Sequence, residues 1–557
     1  MALLDVNIAI SGAAGEGIQT IGSVLARSIS RLGYAVFSWQ EYESRIRGGL
    51  NSYSIRITDR PINSPRMDCD ILVALNGPAA DKYRSWLRDG GILVGEGATD
   101  SPLAVPFSKT ATERWGKPVY ANSLALGVLW GMLGADLDVI AATVEKTFAD
   151  KGNDIVARNL EALKTGYEMA EKSCKGICPW KLEKRSEEYY LINGQPAIAL
   201  GAVRAGCRFM AAYPMTPSTG IITFLAQQED RLEVLTEQAE DEIAAVNMVI
   251  GAQFAGCRAM TATSGGGFAL MVEALSLSGM TETPLVVVLA QRPGPATGLP
   301  TRTAQGDLLF ALHAGHGEFP RCVLAPADPV EAFRLTVTAF NLADRFQIPV
   351  IIMTDQFLAD SQFSIKDFDP GEVGPEFFLA DPENIGEYRR YAVTEDGVSP
   401  RLYPGQSSHL VGADSDEHDE WGHITENLAE VARPMMEKRM RKMKSLRKMV
   451  PQPLFYLLED AETVFVCWGS VRNALLEAVD RLREEGKKVG CLHFPGVWPL
   501  PEISLPEGRR WIAVEQNMTS QFGRLFACEY GISMDAPILR YDGLPITAEW
   551  IVTNFRA

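Results

Sequence analysis

No stretch of this sequence holds the roughly 18 consecutive apolar residues that span a bilayer, which argues against a helical membrane protein. The CxxCxxCxxxCP run of iron–sulfur proteins is absent, and so is the paired CxxC of a zinc site. The 9 cysteines are scattered, with Cys174 and Cys178 of CKGIC the only close pair, and they read as reduced, mostly buried thiols. No metal ligand is assigned to this chain. Basic charge is in deficit: Lys+Arg 53 stands against Asp+Glu 70, a formal net charge of −17. Phosphate contacts need clustered Lys and Arg, so no nucleic-acid partner is expected. The opening MALLDVNIAISGAAGEG has neither a basic n-region nor a cleavage site and reads as a strand entering a Gly-rich turn. The expectation is a cytoplasmic protein with no membrane contact.

What is present is ample core material. The 557 residues, 46% hydrophobic and 22% charged, are enough for three or four globular domains. In residues 1–180, DVNIAIS, YAVFSW, CDILVALN and GILVGE read as buried strands. Ile18, Ile21, Leu25, Ile29 and Leu32 line one face of a helix. CKGICPWKLEKRSEEYY reads as a linker. A second α/β unit, 190–362, alternates helices with RAMTATS, PLVVVLAQ, RCVLAPA and PVIIMTD, the pattern of a doubly wound parallel sheet. Residues 363–452 read as irregular, with the acidic ADSDEHDEWGH and then a basic helical run. A third α/β unit fills 453–557. The fold class is therefore α/β, in three α/β domains.

Six motifs stand out. Gly12, Gly15 and Gly17 lie between a strand and a helix. They make either a tight βα turn or an anion site at a helix N-terminus, and the GxGxxG spacing is not met. YESRIRGGL presents Arg45 and Arg47 before two glycines, as a charged surface loop or as a basic loop for a phosphorylated ligand. AAYPMTPSTG fixes Thr216 between prolines past a strand end, where ligands bind in such sheets. The bland alternative is a loop with Ser218 or Thr219 as a helix cap. TEQAEDEIAAV puts Glu242 at the entrance to an apolar helix, where a partly desolvated carboxylate suits a group that shares a proton. Glu237, Glu240 and Asp241 fit the competing role of a helix N-terminal acid equally well. TATSGGGFALM is a further βα turn. QRPGPATGLPTRTAQGDL carries Arg292 and Arg302, either exposed or bidentate partners for a carboxylate. The basic run 433–448, eight Lys or Arg in sixteen residues, reads as a segment for chain packing or a docking partner rather than nucleic acid, with a solvated helix face as the bland alternative.

Taken in order, YPMTPST, EDEIAA, TATSGGGFALM and GPATGLPTRTAQGDL resemble segments of the 2-oxoacid:ferredoxin oxidoreductases. GAAGEGIQT and YESRIRGG resemble that family's gamma domain, here fused ahead of the alpha part. EDGVSPR, DEHDEWGH and VEQN are similar to the same alpha chains. The resemblance implies a gamma-type domain, a pyrimidine-type thiamine-diphosphate domain and a transketolase C-terminal-like domain. It implies thiamine diphosphate shared with a beta chain that carries a GDG motif, Mg²⁺ and a [4Fe–4S] cluster; this chain contains no GDG. Coenzyme A as co-substrate, ferredoxin as electron carrier and an (alpha–beta)₂ heterotetramer follow from it. Glu242 then matches the acid at N1′ of the aminopyrimidine. Tyr213, Pro214, Met215, Ser264, Gly265 and Phe268 match the cofactor's surroundings. Thr216 matches the catalytic loop hydroxyl near the substrate, and Arg302 with Thr301 the partners of the substrate carboxylate, with Arg292 the rival. The Gly12–Gly17 and Arg45–Arg47 loops become a possible coenzyme A site, and the basic run a dock for an acidic ferredoxin or coenzyme A phosphates. The two-chain layout resembles enzymes that convert 2-oxoglutarate to succinyl-CoA, or the reverse. Broad-specificity, pyruvate and branched-chain enzymes are the alternatives. A non-redox thiamine enzyme or a non-catalytic thiamine-fold protein is more distant.

Overall fold

The computed structural model describes residues 4–44, 48–98, 101, 103–368 and 373–556. By contacts the chain divides into two compact units.

The first unit comprises Met1–Ile192, Ser361–Asp367 and Thr547–Glu549. Its sheet runs in the order β5 (Leu87–Gly95), β4 (Cys69–Ala74), β1 (Asp5–Ala13), β3 (Leu50–Thr58), β2 (Ala35–Glu41), β13 (Gln362–Ile365) and β6 (Tyr190–Ile192). The expected strands are all present. The sheet is mixed, because β3 lies antiparallel between β1 and β2 while β1, β4 and β5 are parallel. The helix Ile18–Arg31 buries Ile18, Ile21, Leu25 and Ile29, as its three-and-four spacing requires. The polar segment read as a linker is tied down along this unit: Leu182 is buried and its N–H reaches Leu133 O at 2.9 Å. Cys174 and Cys178 are joined as a disulfide, Cα atoms 5.1 Å apart, which corrects the reading of all cysteines as reduced thiols. A C-terminal helical turn brings the two together, since the Cys178 N–H donates to Cys174 O. Cys528 is exposed and Cys257 half-buried; the other free cysteines are buried.

The second unit comprises Asn193–Asp360, Phe368–Ile546 and Trp550–Ala557. Its larger sheet has the order β17 (Gly496–Trp498), β11 (Cys322–Leu324), β12 (Pro349–Asp355), β10 (Leu285–Gln291), β9 (Ala259–Thr263), β7 (Phe209–Ala212) and β8 (Leu235–Gln238). β10 and β12 are buried throughout, the signature of parallel strands covered on both faces. The third sheet runs β14 (Leu454–Tyr456), β16 (Val489–Phe494), β15 (Thr463–Trp468), β18 (Arg510–Glu515) and β19 (Ile538–Leu539). One apolar core serves both sheets, from Val287 and Met353 to Val466 and Phe494. Glu515 of VEQN organises the last sheet's edge: its buried carboxylate accepts from Asn517 Nδ2 and from the Phe522 and Gly523 N–H groups.

Within the 363–452 stretch expected to be irregular, the described residues from 373 to 427 are largely so, but buried arginines anchor them. Arg401 and Arg258 share Asp344, and Arg390 Nη2 donates to Glu282 O at 2.7 Å. The basic helix Arg433–Met449 is not a uniformly solvated face. Lys438 and Lys442 are buried on Glu282 at 2.6 and 2.5 Å, and Arg439 pairs with Glu417 at 2.6 Å. Two lysines can be buried here because a carboxylate, itself buried, lies between them. No helix among the described residues is long and apolar enough to cross a membrane.

Candidate active site at the carboxyl edge of the parallel sheet

Three chain segments meet where β7, β9 and β10 end. The first is the loop after β7. Ser218 stands at the N-cap of the helix Thr219–Gln227 but does not cap it; its hydroxyl donates to Met215 O at 2.8 Å, and so does its N–H. The loop is thereby drawn tight around Thr216. Pro214, Met215 and Thr216 are half-buried, and Tyr213 is 40% exposed.

The second segment carries four neighbouring acids that differ in burial and partners. Asp241 is the N-cap, its carboxylate accepting from the Ala244 N–H at 2.8 Å. Glu237 and Glu240 are exposed. Glu242 alone is buried, at 3% exposure, and its Oε1 finds no hydrogen-bond partner in the protein.

The third segment is the turn after β9. Its helix, Gly265–Leu270, starts against that carboxylate. A Cβ at Gly267 would overlap Thr263 Oγ1 and Glu242 Oε1 and lie 2.8 Å from Glu242 Cδ, so the acid in its present position packs directly on the glycine backbone. Thr263 Oγ1 is 3.9 Å from Met215 Sδ, which joins the turn to the first loop. Ser264 holds the N-cap position without capping, and its Oγ is buried and unpartnered. Phe268 is fully buried, edge-on to Phe310 at 5.3 Å.

The loop after β10 separates the two candidate arginines. Arg292 turns back, and its Nη1 donates to Thr216 O at 2.6 Å. Its half-burial pulls the guanidinium below its usual range, against the opposing charge of Asp307. Arg302, half-buried beside half-buried Thr301, sends its Cβ and Cγ along Gly543. Further on, Gln305 ties the loop to the last sheet through Trp468 O at 2.9 Å and the Gln516 N–H at 3.1 Å. The Thr303 hydroxyl accepts from the Phe357 N–H at 3.3 Å. Asp307, which the sequence reading passed over, sits beyond the Gly265 turn with Oδ2 buried and unpartnered.

In the first unit, Gly15 and Gly17 adopt positive φ, 93° and 84°. A Cβ at Gly17 would overlap Asn122. Glu16, not an external anion, takes the Ala13 N–H at 2.7 Å, beside Gly12. A cleft of about 420 Å³ opens alongside, lined by Gly15, Glu16, Leu75 and Asn122. Arg45 and Arg47 lie outside the described residues. No cluster of His, Cys, Asp and Glu among the described residues could hold a metal ion.

The carboxyl edge of this parallel sheet thus holds a buried glutamate whose Oε1 has no partner in the protein, and the chain is similar to known proteins over its whole length. Residues 200–438 match the thiamine-diphosphate-binding domain of pyruvate flavodoxin/ferredoxin oxidoreductases. Residues 7–169 match the pyruvate ferredoxin/flavodoxin oxidoreductase domain, and residues 461–527 match core domain II of pyruvate:ferredoxin oxidoreductase. The 2-oxoacid:ferredoxin oxidoreductase 2 subunit alpha of Aeropyrum pernix is 32% identical, over 98% of this chain and 96% of its own. The 2-oxoglutarate synthase subunit KorA of Methanothermobacter thermautotrophicus is 35% identical over 60% of this chain and 89% of its own. Among solved structures, the 2-oxoglutarate:ferredoxin oxidoreductase of Magnetococcus marinus, with 2-oxoglutarate, coenzyme A and succinyl-CoA bound, superposes with TM-score 0.89. It is 31% identical and covers 99% of this chain, which covers 98% of it. The chain belongs to the alpha subunits of the 2-oxoacid:ferredoxin oxidoreductases. It is an oxidoreductase chain that needs other subunits.

Proposed function

We propose that this chain is the alpha half of an enzyme that converts 2-oxoglutarate, coenzyme A and oxidised ferredoxin to succinyl-CoA, CO₂ and reduced ferredoxin. The observation that carries the thiamine chemistry is Glu242: a buried carboxylate with one oxygen unpartnered, packed closely against the glycine turn at Gly267. Those two features fit the aminopyrimidine of thiamine diphosphate, whose N1′ takes a proton from a carboxyl. The chemistry that cofactor supplies when bound is a carbon nucleophile for the 2-oxo group and a sink for the electron pair left by CO₂.

The rest belongs to side chains of this protein. Glu242 would hold and pass a proton at N1′. Met215, Ser264, Gly265 and Phe268, with Tyr213 and Pro214 at the rim, would surround the pyrimidine. Thr216 would offer its hydroxyl beside the substrate carbonyl. An arginine fork would hold the substrate carboxylate. Arg302 is favoured by its place in the family motif, and Arg292 by its contact with Thr216. Mg²⁺, the GDG motif and the [4Fe–4S] cluster would lie on a beta partner in an (alpha–beta)₂ assembly in the cytoplasm. The glycine turn and cleft of the first unit are the proposed seat of coenzyme A.

The choice of 2-oxoglutarate draws support from the Magnetococcus marinus and KorA likenesses. A broad-specificity reading draws support from the Aeropyrum pernix relative, named only for 2-oxoacids. Co-expression with the GDG-bearing chain, followed by a 2-oxoacid screen with coenzyme A and a low-potential dye, tests both. The highest kcat/KM is expected for 2-oxoglutarate. Equal rates with pyruvate and branched-chain 2-oxoacids would establish broad specificity, and no turnover of any 2-oxoacid would refute the enzymatic reading.

A further inference from the structure

The polar groups of this site stand on two sides of the Gly265–Gly267 turn, and the chemistry above uses only the Glu242 side. Asp307 is on the other. It occupies the N-cap position of the helix Leu308–His313, where an aspartate ordinarily accepts a backbone N–H, yet its side chain makes no capping bond. The carboxyl faces the turn instead: a Cβ at Gly265 would lie 2.7 Å from Oδ2. That oxygen is buried and has no partner in the protein. The residue is fixed from behind by Gln291, whose Oε1 accepts the Asp307 N–H at 3.1 Å.

Few charges act on it. Arg292 approaches from the end of β10, and Glu242 stands across the glycine turn. The helix Gln521–Tyr530 contributes the uncharged Gln521, whose side chain binds Gly306 O and the Leu309 N–H. Burial pushes the Asp307 carboxyl up to about 6, against the pull of Arg292. Both of its protonation states are therefore accessible near neutral pH.

We propose that Asp307 makes binding of the anionic 2-oxoacid proton-linked: as the substrate carboxylate engages Arg292 beside Thr216, Asp307 takes up one proton from solvent. The inference rests on the carboxylate-recognition reading above. Its physical basis is a change of field. In the free site the guanidinium favours the ionised carboxyl. Once a substrate anion shares that guanidinium, the favourable charge is spent and a like charge lies nearby, so proton affinity rises. No covalent bond changes; one proton moves from water to a carboxylate oxygen. Affinity for the 2-oxoacid then falls as pH rises above about 6, by up to about tenfold per pH unit, until the bound-state titration is passed.

Calorimetry on the complex co-purified with its partner chain reads this directly. The ligand is the 2-hydroxy analogue of whichever 2-oxoacid the complex turns over: 2-hydroxyglutarate for 2-oxoglutarate, lactate for pyruvate. It keeps the carboxylates and lacks the carbonyl, so a wrong substrate assignment changes the ligand and not the test. Titrations at pH 7.5 in phosphate and in Tris, which differ in ionisation heat, are expected to give buffer-dependent heats whose difference reports net proton uptake in the wild type. Asp307→Asn should abolish that uptake and flatten the rise of KM between pH 6 and 8, leaving the pH profile of kcat in place. A role confined to folding would not move proton uptake. Identical heats in the two buffers for the wild type would overturn the proposal without any variant. Undiminished uptake in Asp307→Asn would overturn it equally. Unchanged affinity in Arg292→Lys would leave the substrate carboxylate to Arg302 and overturn the proposal, while the carboxylate reading itself would stand.

Discussion

Replacing Gly267 with alanine separates the cost of folding from the cost to the site. The residue lies inside the Gly265–Leu270 helix with no positive φ, so the backbone itself gains from alanine, by about 1 kcal/mol. The added methyl cannot be placed without overlap. It meets Thr263 Oγ1 and Glu242 Oε1, and sits 2.8 Å from Glu242 Cδ. Overpacking of that kind costs roughly 1–3 kcal/mol, which leaves a net loss of about 0–2 kcal/mol. Thr263 is held in a fully buried strand, whereas Glu242 is the free end of a flexible side chain, so the carboxyl gives way, by roughly 1 Å to reach ordinary carbon contact. A displacement of that size at a reacting centre costs about 10²-fold. Gly267→Ala should therefore melt within a few degrees of wild type, assemble with its partner, and lose about a hundredfold in kcat/KM together with affinity for thiamine diphosphate. Gly266→Ala is the stability control: a Cβ there meets nothing within 4 Å, so the isolated chain should gain up to about 1 kcal/mol. Thermal melts and cofactor titration by fluorescence quenching give both readouts. Wild-type cofactor affinity and turnover in Gly267→Ala would refute the placement of Glu242 against this turn.

Glu242→Gln keeps the shape and removes the transferable proton; turnover should fall by ~10²–10⁴-fold with the fold and assembly intact, as read by steady-state rates and gel filtration. Arg292→Lys and Arg302→Lys each keep charge and lose the fork, and whichever raises KM for every 2-oxoacid without altering cofactor binding identifies the carboxylate partner. Glu282→Gln leaves Lys438 and Lys442 buried without their counter-charge and should destabilise the chain by roughly 3–5 kcal/mol in denaturant unfolding. Burial pushes Glu282 up, but Lys442, Lys438 and Arg390 outweigh it and hold the carboxyl far below its usual range. Its contribution is complete above the unfolded value of 4.5 and is lost as pH falls below it, so wild type should lose stability on acidification and the variant should lose less.

The sequence made some of this architecture readable and hid the rest for physical reasons. PLVVVLAQ and PVIIMTD could be identified as strands because a parallel strand covered on both faces is apolar throughout. The Ile18–Arg31 helix was readable because a surface helix shows its buried stripe at a fixed period. For the basic helix 433–449 the sequence left chain packing, a partner and a solvated face open, because its burial is ionic. Lysine scores as solvent-facing wherever it occurs, and the carboxylate that makes Lys438 buriable is 156 residues away in sequence. The four acids before the 242–254 helix could not be ranked, since any carboxylate near a helix N-terminus satisfies the local rule. Burial against the turn after β9 distinguishes Glu242, while Asp241 caps the helix and Glu237 and Glu240 stay exposed.

Asp307 and Ser264 show the same conflict between local and distant demands. Each stands where its side chain would ordinarily close a helix; Ser264 is singled out in the sequence only through the family resemblance, and Asp307 is passed over because a cap would account for it. In the folded chain neither caps, and each keeps a buried oxygen without a protein partner. A forgone cap costs about 1 kcal/mol and a buried unpaired oxygen about 1–3 kcal/mol. Two such losses facing one glycine turn, beside the unpaired oxygen of Glu242, are a large burden for a fold of ordinary marginal stability. Local rules are broken together where a site requires it. Asp307, which no motif singles out, shares this breach with Ser264 on the same glycine turn.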